Sequence, residues 1–291
     1  MKVTGKSGRY YVSKVGLFCL IVTVSTLLAI ASFWTYQEVK TAHKQQATNE
    51  IIRIANARLA EIEIKKNEPV YITLPGADKL RAPAENYEEP NNVWTLVNKD
   101  RALPADYVPP VLIVASVSTR SNLTANGKQV SKTIDAPLTE LFIAAQTDGH
   151  SLMIGSAYRS ATTQDKLFHT YVSKVGYAEA DKYSAHPGHS EHQTGLAVDI
   201  STASQQCYLS ECFIDTADGQ WLAENAYKYG FHLRYPKGKE VITGYNFEPW
   251  HYRYVGIKLA TALYQSGLTL DEAWPYMETA LATLRSNRAV R

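Results

Sequence analysis

The first pattern along the chain is an apolar run over residues 15–34, VGLFCLIVTVSTLLAIASFW, which contains no charged residue. This run approaches the ~20 residues that an α-helix needs to cross a bilayer. It is preceded by four basic residues, Lys2, Lys6, Arg9 and Lys14. Basic residues stay on the cytoplasmic side of a membrane segment, so we predict that residues 1–14 are cytoplasmic and that the bulk of the chain is outside the cell.

Two interpretations of residues 15–36 remain open. The first is an uncleaved transmembrane anchor in the cell membrane, with Trp34 and Tyr36 at the outer interface. The second is a signal peptide, with secretion after cleavage behind the A-x-A pattern that ends at Ala31. The length of the run favours the anchor, because signal-peptide apolar regions usually span about 7–15 residues. Both interpretations export the protein.

Beyond this run, isoleucine and leucine recur at helical spacing among charged residues, which predicts a helical stalk over residues 37–68. A surface helix of the main domain is the alternative. Residues 67–110 are rich in Pro, Asn, Asp and Glu and indicate extended chain with turns, and we place the start of the compact domain at Pro69, so that it spans residues 69–291.

Within this domain the pattern alternates between helix and strand without a regular βαβ rhythm, so we predict an α+β fold. Strands are predicted at 111–118, 152–156, 195–200, 231–235, 241–247 and 250–255. Helices are predicted at 138–147, 162–175, 178–183, 220–229, 256–266 and 270–285.

Composition excludes some functions and leaves others open. The net charge is +2, and without the four basic residues ahead of the apolar run the remainder carries −2. No extended basic face is predicted, so a nucleic-acid partner has no support.

Of the three cysteines, Cys207 and Cys212 lie close together in a domain predicted to be exported, which makes them a disulfide candidate. Two free thiols are the alternative.

The richest stretch in candidate chemistry is residues 186–199, HPGHSEHQTGLAVD. At the end of this stretch and just after it, the apolar residues Leu196, Val198 and Ile200 alternate with other residues, which predicts a strand buried on one face. Asp199 lies on the opposite face, where a carboxylate is costly unless it faces a cation or hydrogen-bond donors. A metal shared with His192 satisfies this need, because imidazole and carboxylate are normal zinc ligands.

A third ligand is offered by His251, in the sequence EPWH. Three protein ligands leave one position of a zinc ion open, which is typical of a catalytic site. Glu248, three residues earlier, suits a base that takes a proton from water better than it suits a fourth ligand. No HExxH motif occurs. A structural zinc with His189 as a fourth ligand is the alternative.

Three further polar residues are candidates for substrate binding. Arg159 follows a predicted strand, and an arginine can hold a carboxylate through two parallel hydrogen bonds or stabilise an oxyanion. Gln164, one turn into the next helix, and Ser190, beside His192, could complete the polar lining. A surface position is the alternative for each of them.

The strings SAYRSATTQDKLF, PGHSEHQTGLAVDI, WLAENAYKYGFHLRYP and EPWHYRYVG together resemble the VanY-type zinc D-alanyl-D-alanine carboxypeptidases, a family that includes Gram-positive LD-carboxypeptidases. The resemblance covers about residues 95–257. It implies a central antiparallel sheet of the kind shared with the Hedgehog signalling domain. It also implies Zn²⁺ on His192, Asp199 and His251, Glu248 as catalytic base, and substrate contacts from Arg159, Gln164 and Ser190.

The resemblance implies an exported carboxypeptidase that removes the terminal D-alanine from peptidoglycan stem peptides. The motifs leave open whether the peptide ends in D-Ala-D-Ala or in L-Lys-D-Ala. A non-catalytic wall-binding or sensor domain on the same fold is the alternative from a different class. Loss of the base is its expected signature, and Glu248 is present.

Overall fold

The computed structural model describes residues 13–289, which divide into two compact units at Glu68 and Pro69. The first unit is one helix, α1, Lys14–Asn67, in which no residue is buried. With a rise of 1.5 Å per residue, its length is about 80 Å. The predicted cytoplasmic segment lies outside the described residues except for Ser13 and Lys14, so its placement stays a prediction.

Helix α1 is long and apolar enough to cross a membrane, with a mean hydropathy of 2.3 over 18 residues. A signal sequence near an N-terminus has the same properties. The helix therefore permits both the anchor and the cleaved segment, and export stays a prediction.

The second unit mixes short strands with helices, as the sequence predicts. Its strands are β1 Tyr71–Ile72, β2 Leu80–Arg81, β3 Leu112–Val114, β4 Gln129–Ser131, β5 Leu152–Ser156, β6 Ala197–Thr202, β7 Phe231–Leu233 and β8 His251–Tyr254. Its helices are α2 Lys132–Thr147, α3 Ala161–Val175, α4 Tyr177–Ala180, α5 Ala217–Asn225, α6 Glu240–Thr243, α7 Ile257–Ser266 and α8 Leu270–Ala289.

Four strands form an antiparallel sheet in the order β5-β6-β8-β7. Strand β6 is buried along its whole length, so the prediction that only one of its faces is buried was wrong. One face carries Val198 and Ile200 into a core formed with α2 and β5. The other carries Asp199 and is covered by the polar residues described below.

A second core lies between α7, α8 and the irregular chain from Ile72 to Leu96. The residues predicted as extended chain with turns therefore pack through apolar side chains such as Tyr87 and Trp94, both of which are buried. In the part of the chain that the structure describes, regular structure between Pro69 and Pro110 is limited to the hairpin of β1 and β2.

Two element predictions in this unit were wrong. Residues 241–247 do not form a strand, because α6 ends at Thr243 and the chain turns at Gly244, whose φ of +75° favours glycine. Helix α2 begins six residues before the predicted start and continues through Pro137. Its N-terminus is capped by the hydroxyl of Ser131, which accepts from the backbone N–H of Thr133 at 3.4 Å.

Candidate active site

Two neighbouring strands place the first two predicted ligands face to face. Asp199 on β6 and His251 on β8 are direct partners in the antiparallel register, so their side chains project from the same face of the sheet. His192 lies in a short 3₁₀ turn just before β6. The turn ends at Gly195, whose φ of +66° lets the chain enter the strand.

The three side chains converge. One donor atom from each of His192, Asp199 and His251 lies within 4.8 Å of the other two, and all three residues are buried. His192 Nε2 is 3.3 Å from Asp199 Oδ2, and His251 Nδ1 is 3.2 Å from Asp199 Oδ1. Donor atoms around a tetrahedral zinc ion are about 3.3 Å apart, given bonds of about 2.0–2.1 Å.

Hydrogen bonds on the far side of each imidazole fix which nitrogen faces the cluster. His192 Nδ1 donates to the carbonyl oxygen of Ala157 at 2.7 Å. His251 Nε2 donates to Glu191 Oε2 at 3.4 Å. The lone pairs of His192 Nε2 and His251 Nδ1 therefore point at the shared space, as metal-binding histidines require.

The donor set fits a divalent cation. Asp199 Oδ1 is buried and finds no donor in hydrogen-bonding geometry. Burial opposes ionisation of Asp199, so an ionised carboxylate at this position requires a positive charge in the space that it shares with the two imidazoles. An ionised oxygen without a donor, beside two imidazole lone pairs, is the environment that zinc occupies in proteins.

Glu248 lies beside this cluster without belonging to it. Its Oε2 is 3.7 Å from His251 Nδ1, and Pro249 turns the chain from this residue into β8. Burial raises the pKa of Glu248 to about 8, with Asp199 adding to the shift and His251 and Arg159 opposing it. A carboxyl group whose pKa lies near neutrality can both accept and return a proton.

The cluster opens into a cleft of about 390 Å³. Arg159, Gln164 and Ser190 all line it, so the structure brings the predicted substrate-binding residues to the predicted metal site. The three cluster residues and Glu248 also line the cleft. The remaining lining residues are Leu167, Tyr171, Tyr183, Ser184, Ala185, Glu191, Leu209, Ser210, Glu211, Tyr235, Tyr245, Asn246, Phe247 and Trp250.

Two of the polar lining residues keep unused hydrogen-bonding atoms. Arg159 Nε is buried without an acceptor, although its backbone N–H donates to the carbonyl of His192 at 3.2 Å. Gln164 is held by its Nε2, which donates to the carbonyl of Ala185 at 2.6 Å, while its Oε1 is buried without a donor. Buried polar atoms without partners are costly, which indicates that a ligand supplies the missing partners.

A buried ionic network lies behind His251. Glu191 Oε1 accepts from Arg234 Nε at 2.8 Å and from Arg253 Nη1 at 2.9 Å, and all three side chains are fully buried. Burial opposes ionisation of Glu191, but the two guanidinium groups outweigh it and hold its pKa below the usual range. Asp271 on α8 accepts from Arg234 Nη1 at 2.5 Å and joins the network to the C-terminal helices.

Three residues at the site, Glu191, Tyr235 and Tyr245, have no role predicted from the sequence. The ring of Tyr235 lies 4.9 Å from that of His251 and 4.8 Å from that of Tyr245. Glu191 could have been suspected, because metal-binding histidines often donate their second ring N–H to a carboxylate. Neither tyrosine has a spacing that would single it out.

Two other predictions concern residues around the cleft. Cys207 and Cys212 form a disulfide. His189, the alternative fourth ligand, lies outside the three-residue cluster, and its Nδ1 contacts the carbonyl oxygen of Asn98 at 2.8 Å. The described residues around the cluster therefore offer three ligands and an adjacent carboxylate.

This combination of two imidazoles, one carboxylate ligand, a neighbouring buried carboxyl and an arginine defines a mononuclear metallohydrolase. A family model described as VanY, D-alanyl-D-alanine carboxypeptidase, matches residues 127–257. The putative carboxypeptidase YodJ of Bacillus subtilis (strain 168) is 45% identical over 188 residues, which is 65% of this chain and 69% of that protein.

Two solved structures are similar in sequence and in fold. The LdcB LD-carboxypeptidase is 44% identical, with a TM-score of 0.61 over 64% of this chain and 87% of that one. A mutant of the vancomycin-resistance D,D-pentapeptidase VanY, in complex with Zn(II), is 35% identical, with a TM-score of 0.52 over 64% of this chain and 99% of that one. The chain belongs to the VanY family and is a metallocarboxypeptidase.

Proposed function

We propose that this protein is an exported, zinc-dependent carboxypeptidase that removes the terminal D-alanine from peptidoglycan stem peptides. The observation that carries the proposal is the convergence of His192, Asp199 and His251 in a cleft that also holds Glu248 and Arg159. The similarity to an LD-carboxypeptidase and to a D,D-pentapeptidase supports the substrate class. The Hedgehog-type sheet arrangement expected of the family belongs to the same proposal.

Zinc held by His192, Asp199 and His251 would supply a Lewis acid that polarises the scissile carbonyl and acidifies water. Arg159, whose Nε is buried without a protein acceptor, binds the terminal carboxylate of the peptide through its guanidinium group. Gln164 Oε1 and the Ser190 hydroxyl line the same space and orient the peptide backbone. These contacts fix the scissile bond against Glu248.

Glu248 carries the proton transfers. As a carboxylate it takes a proton from the attacking water while the water oxygen bonds to the carbonyl carbon. As a carboxylic acid it then returns that proton to the nitrogen of the departing D-alanine when the C–N bond breaks. Water is divided between the two products, and Glu248 ends in its starting state.

Helix α1 supports the location. Its apolar stretch has the length of a membrane anchor, and the basic residues ahead of it favour a cytoplasmic N-terminus. We infer a single-pass protein of the cell membrane with residues 37–68 as a stalk and residues 69–291 as the extracellular catalytic domain.

The test is an incubation of the purified full chain with two peptides, one ending in D-Ala-D-Ala and one in L-Lys-D-Ala. Products are weighed by mass spectrometry with and without a chelator. A product lighter by one alanine, absent with the chelator and formed again when zinc is added, supports the proposal. The peptide that is cut decides between DD- and LD-specificity. Binding of both peptides without any cleavage would contradict it and favour a wall-binding domain.

A further inference from the structure

The segment between β6 and α5 has no part in the mechanism above, yet it forms one wall of the cleft. We call residues 203–212 the disulfide loop, because the bond between Cys207 and Cys212 closes it. Leu209, Ser210 and Glu211 of this loop line the cleft. The wall therefore comes from a segment whose shape depends on a covalent bond.

The disulfide loop is seated on strand β5. The Tyr208 hydroxyl donates to the carbonyl oxygen of Gly155 at 2.8 Å, and the guanidinium of Arg120 lies 4.1 Å from the centre of the Tyr208 ring. Arg120 Nε also donates to Gln205 Oε1 at 3.0 Å. A Cβ at Gly155 would lie 3.0 Å from the Tyr208 ring, so the absence of a side chain there lets the loop approach the strand.

The backbone of the loop is held in conformations that ordinary residues avoid. Gln205, Cys207 and Leu209 have φ angles of +60°, +53° and +45°. Such angles persist only where the surroundings impose them, and they concentrate at functional sites. Here the disulfide and the contacts with Gly155 and Arg120 impose them, which fixes the position of the next residues, Ser210 and Glu211.

Glu211 is the acidic residue of the cleft that has neither an ion-pair partner nor a role in the mechanism, so its charge can bind a ligand. The charge of Glu191 is neutralised by ion pairs with Arg234 and Arg253. Asp199 belongs to the three-residue metal cluster, and Glu248 is the proposed base. Glu211 is exposed and makes no ion pair with any residue from 13 to 289. The cleft is thus lined by one cation, Arg159, and one anion, Glu211, that make no ion pair within residues 13–289.

We propose that the disulfide loop determines substrate specificity, with Glu211 binding an ammonium group on a side chain of the peptide upstream of the scissile bond. The terminal carboxylate occupies Arg159, so the opposite charge of Glu211 selects a basic residue before the terminal D-alanine. This inference rests on the proposed function and deepens it, because it favours peptides ending in L-Lys-D-Ala with a free side-chain amine.

The experiment compares two peptides that differ only in that amine: one ending in L-Lys-D-Ala and the same peptide acetylated on the lysine Nε. Their dissociation constants are measured by calorimetry on the full chain carrying Glu248→Gln, which slows turnover enough for binding to be measured. The free amine should bind about 3-fold more tightly, the size expected of a solvent-exposed ion pair. Added Glu211→Gln should abolish this ratio, and high salt should reduce it.

Glu224→Gln is the matched control, because Glu224 is an exposed glutamate on α5 outside the cleft, and the ratio should survive that change. Equal binding of the two peptides, or a ratio that persists in Glu211→Gln, overturns the inference while leaving the proposed function standing. Hydrolysis is measured separately on the chain with Glu248 intact, so failure of the proposed function shows as binding without cleavage.

The role of the disulfide is tested by measuring the same two dissociation constants on the double variant Cys207→Ser and Cys212→Ser. The free-amine peptide should lose its advantage although Glu211 is unchanged, because the loop no longer holds that residue at the wall. A double variant that keeps the full ratio would show that the bond does not position Glu211. If that variant does not fold, the Glu211→Gln comparison decides alone.

Discussion

Glu191 offers the sharpest test of how the surrounding protein supports the metal ligands. The change Glu191→Gln keeps the size of the side chain but removes its charge. The buried network of Glu191, Arg234, Arg253 and Asp271 is neutral as it stands, and the change leaves it with one uncompensated positive charge. It also replaces the carboxylate that accepts from His251 Nε2 with a neutral amide.

Two magnitudes follow from this geometry. Breaking a fully buried ion pair by removing one partner costs about 3–5 kcal/mol of unfolding free energy. Loss of the hydrogen-bond partner behind a metal-binding histidine weakens metal affinity by about 10- to 100-fold. We therefore expect Glu191→Gln to be less stable than the wild type and to bind zinc more weakly, although it changes no ligand.

Asp271→Asn is the matched control, because it also leaves the network with one excess positive charge. Asp271 contacts Arg234 and Asn98 but makes no contact with His251. Its loss should lower stability, by about 1–3 kcal/mol, and leave zinc affinity unchanged. Urea unfolding measures the first quantity, and competition with a chromogenic chelator measures the second. Folded Glu191→Gln protein with wild-type zinc affinity would refute the positioning role.

Three further predictions follow. Glu248→Gln should lower turnover by about 10²- to 10⁴-fold while zinc content by elemental analysis stays at the wild-type level; retained turnover would remove Glu248 from its role. Burial and the neighbouring arginines lower the pKa of His232 from 6.5 to about 3. Unfolding takes up a proton there, so stability falls by about 2 kcal/mol between about pH 7 and pH 5, and His232→Gln should flatten this part of the urea-unfolding profile; an unchanged slope would contradict it. Gly219→Ala should prevent folding as judged by circular dichroism, because a Cβ there would lie 1.9 Å from the Phe213 carbonyl oxygen, and a folded variant would show that this turn can move.

The candidate site could be predicted from sequence because its residues come in short, dense motifs. His192 and Asp199 lie seven positions apart across one turn and strand, and Glu248 and His251 span a single turn. In each pair the local backbone settles the direction of both side chains. What sequence could not give was the register of β6 against β8, which places Asp199 opposite His251.

Residues that act through distant partners escaped prediction for the same reason. Glu191 accepts hydrogen bonds from Arg234 and Arg253, which lie more than forty positions away in sequence, so the local sequence pattern does not predict these contacts. Tyr235 reaches the site only because β7 pairs with β8. The apolar residues within 241–247 predicted a strand, but the chain forms the short helix α6 and then turns at Gly244.

The measurement that tests the central claim most directly is anomalous diffraction at the zinc edge from crystals of the zinc-loaded protein. We predict one strong peak within about 2.0–2.2 Å of His192 Nε2, Asp199 and His251 Nδ1, with no fourth protein atom in the coordination sphere. A peak enclosed by four protein ligands, or a metal away from these three residues, would contradict it.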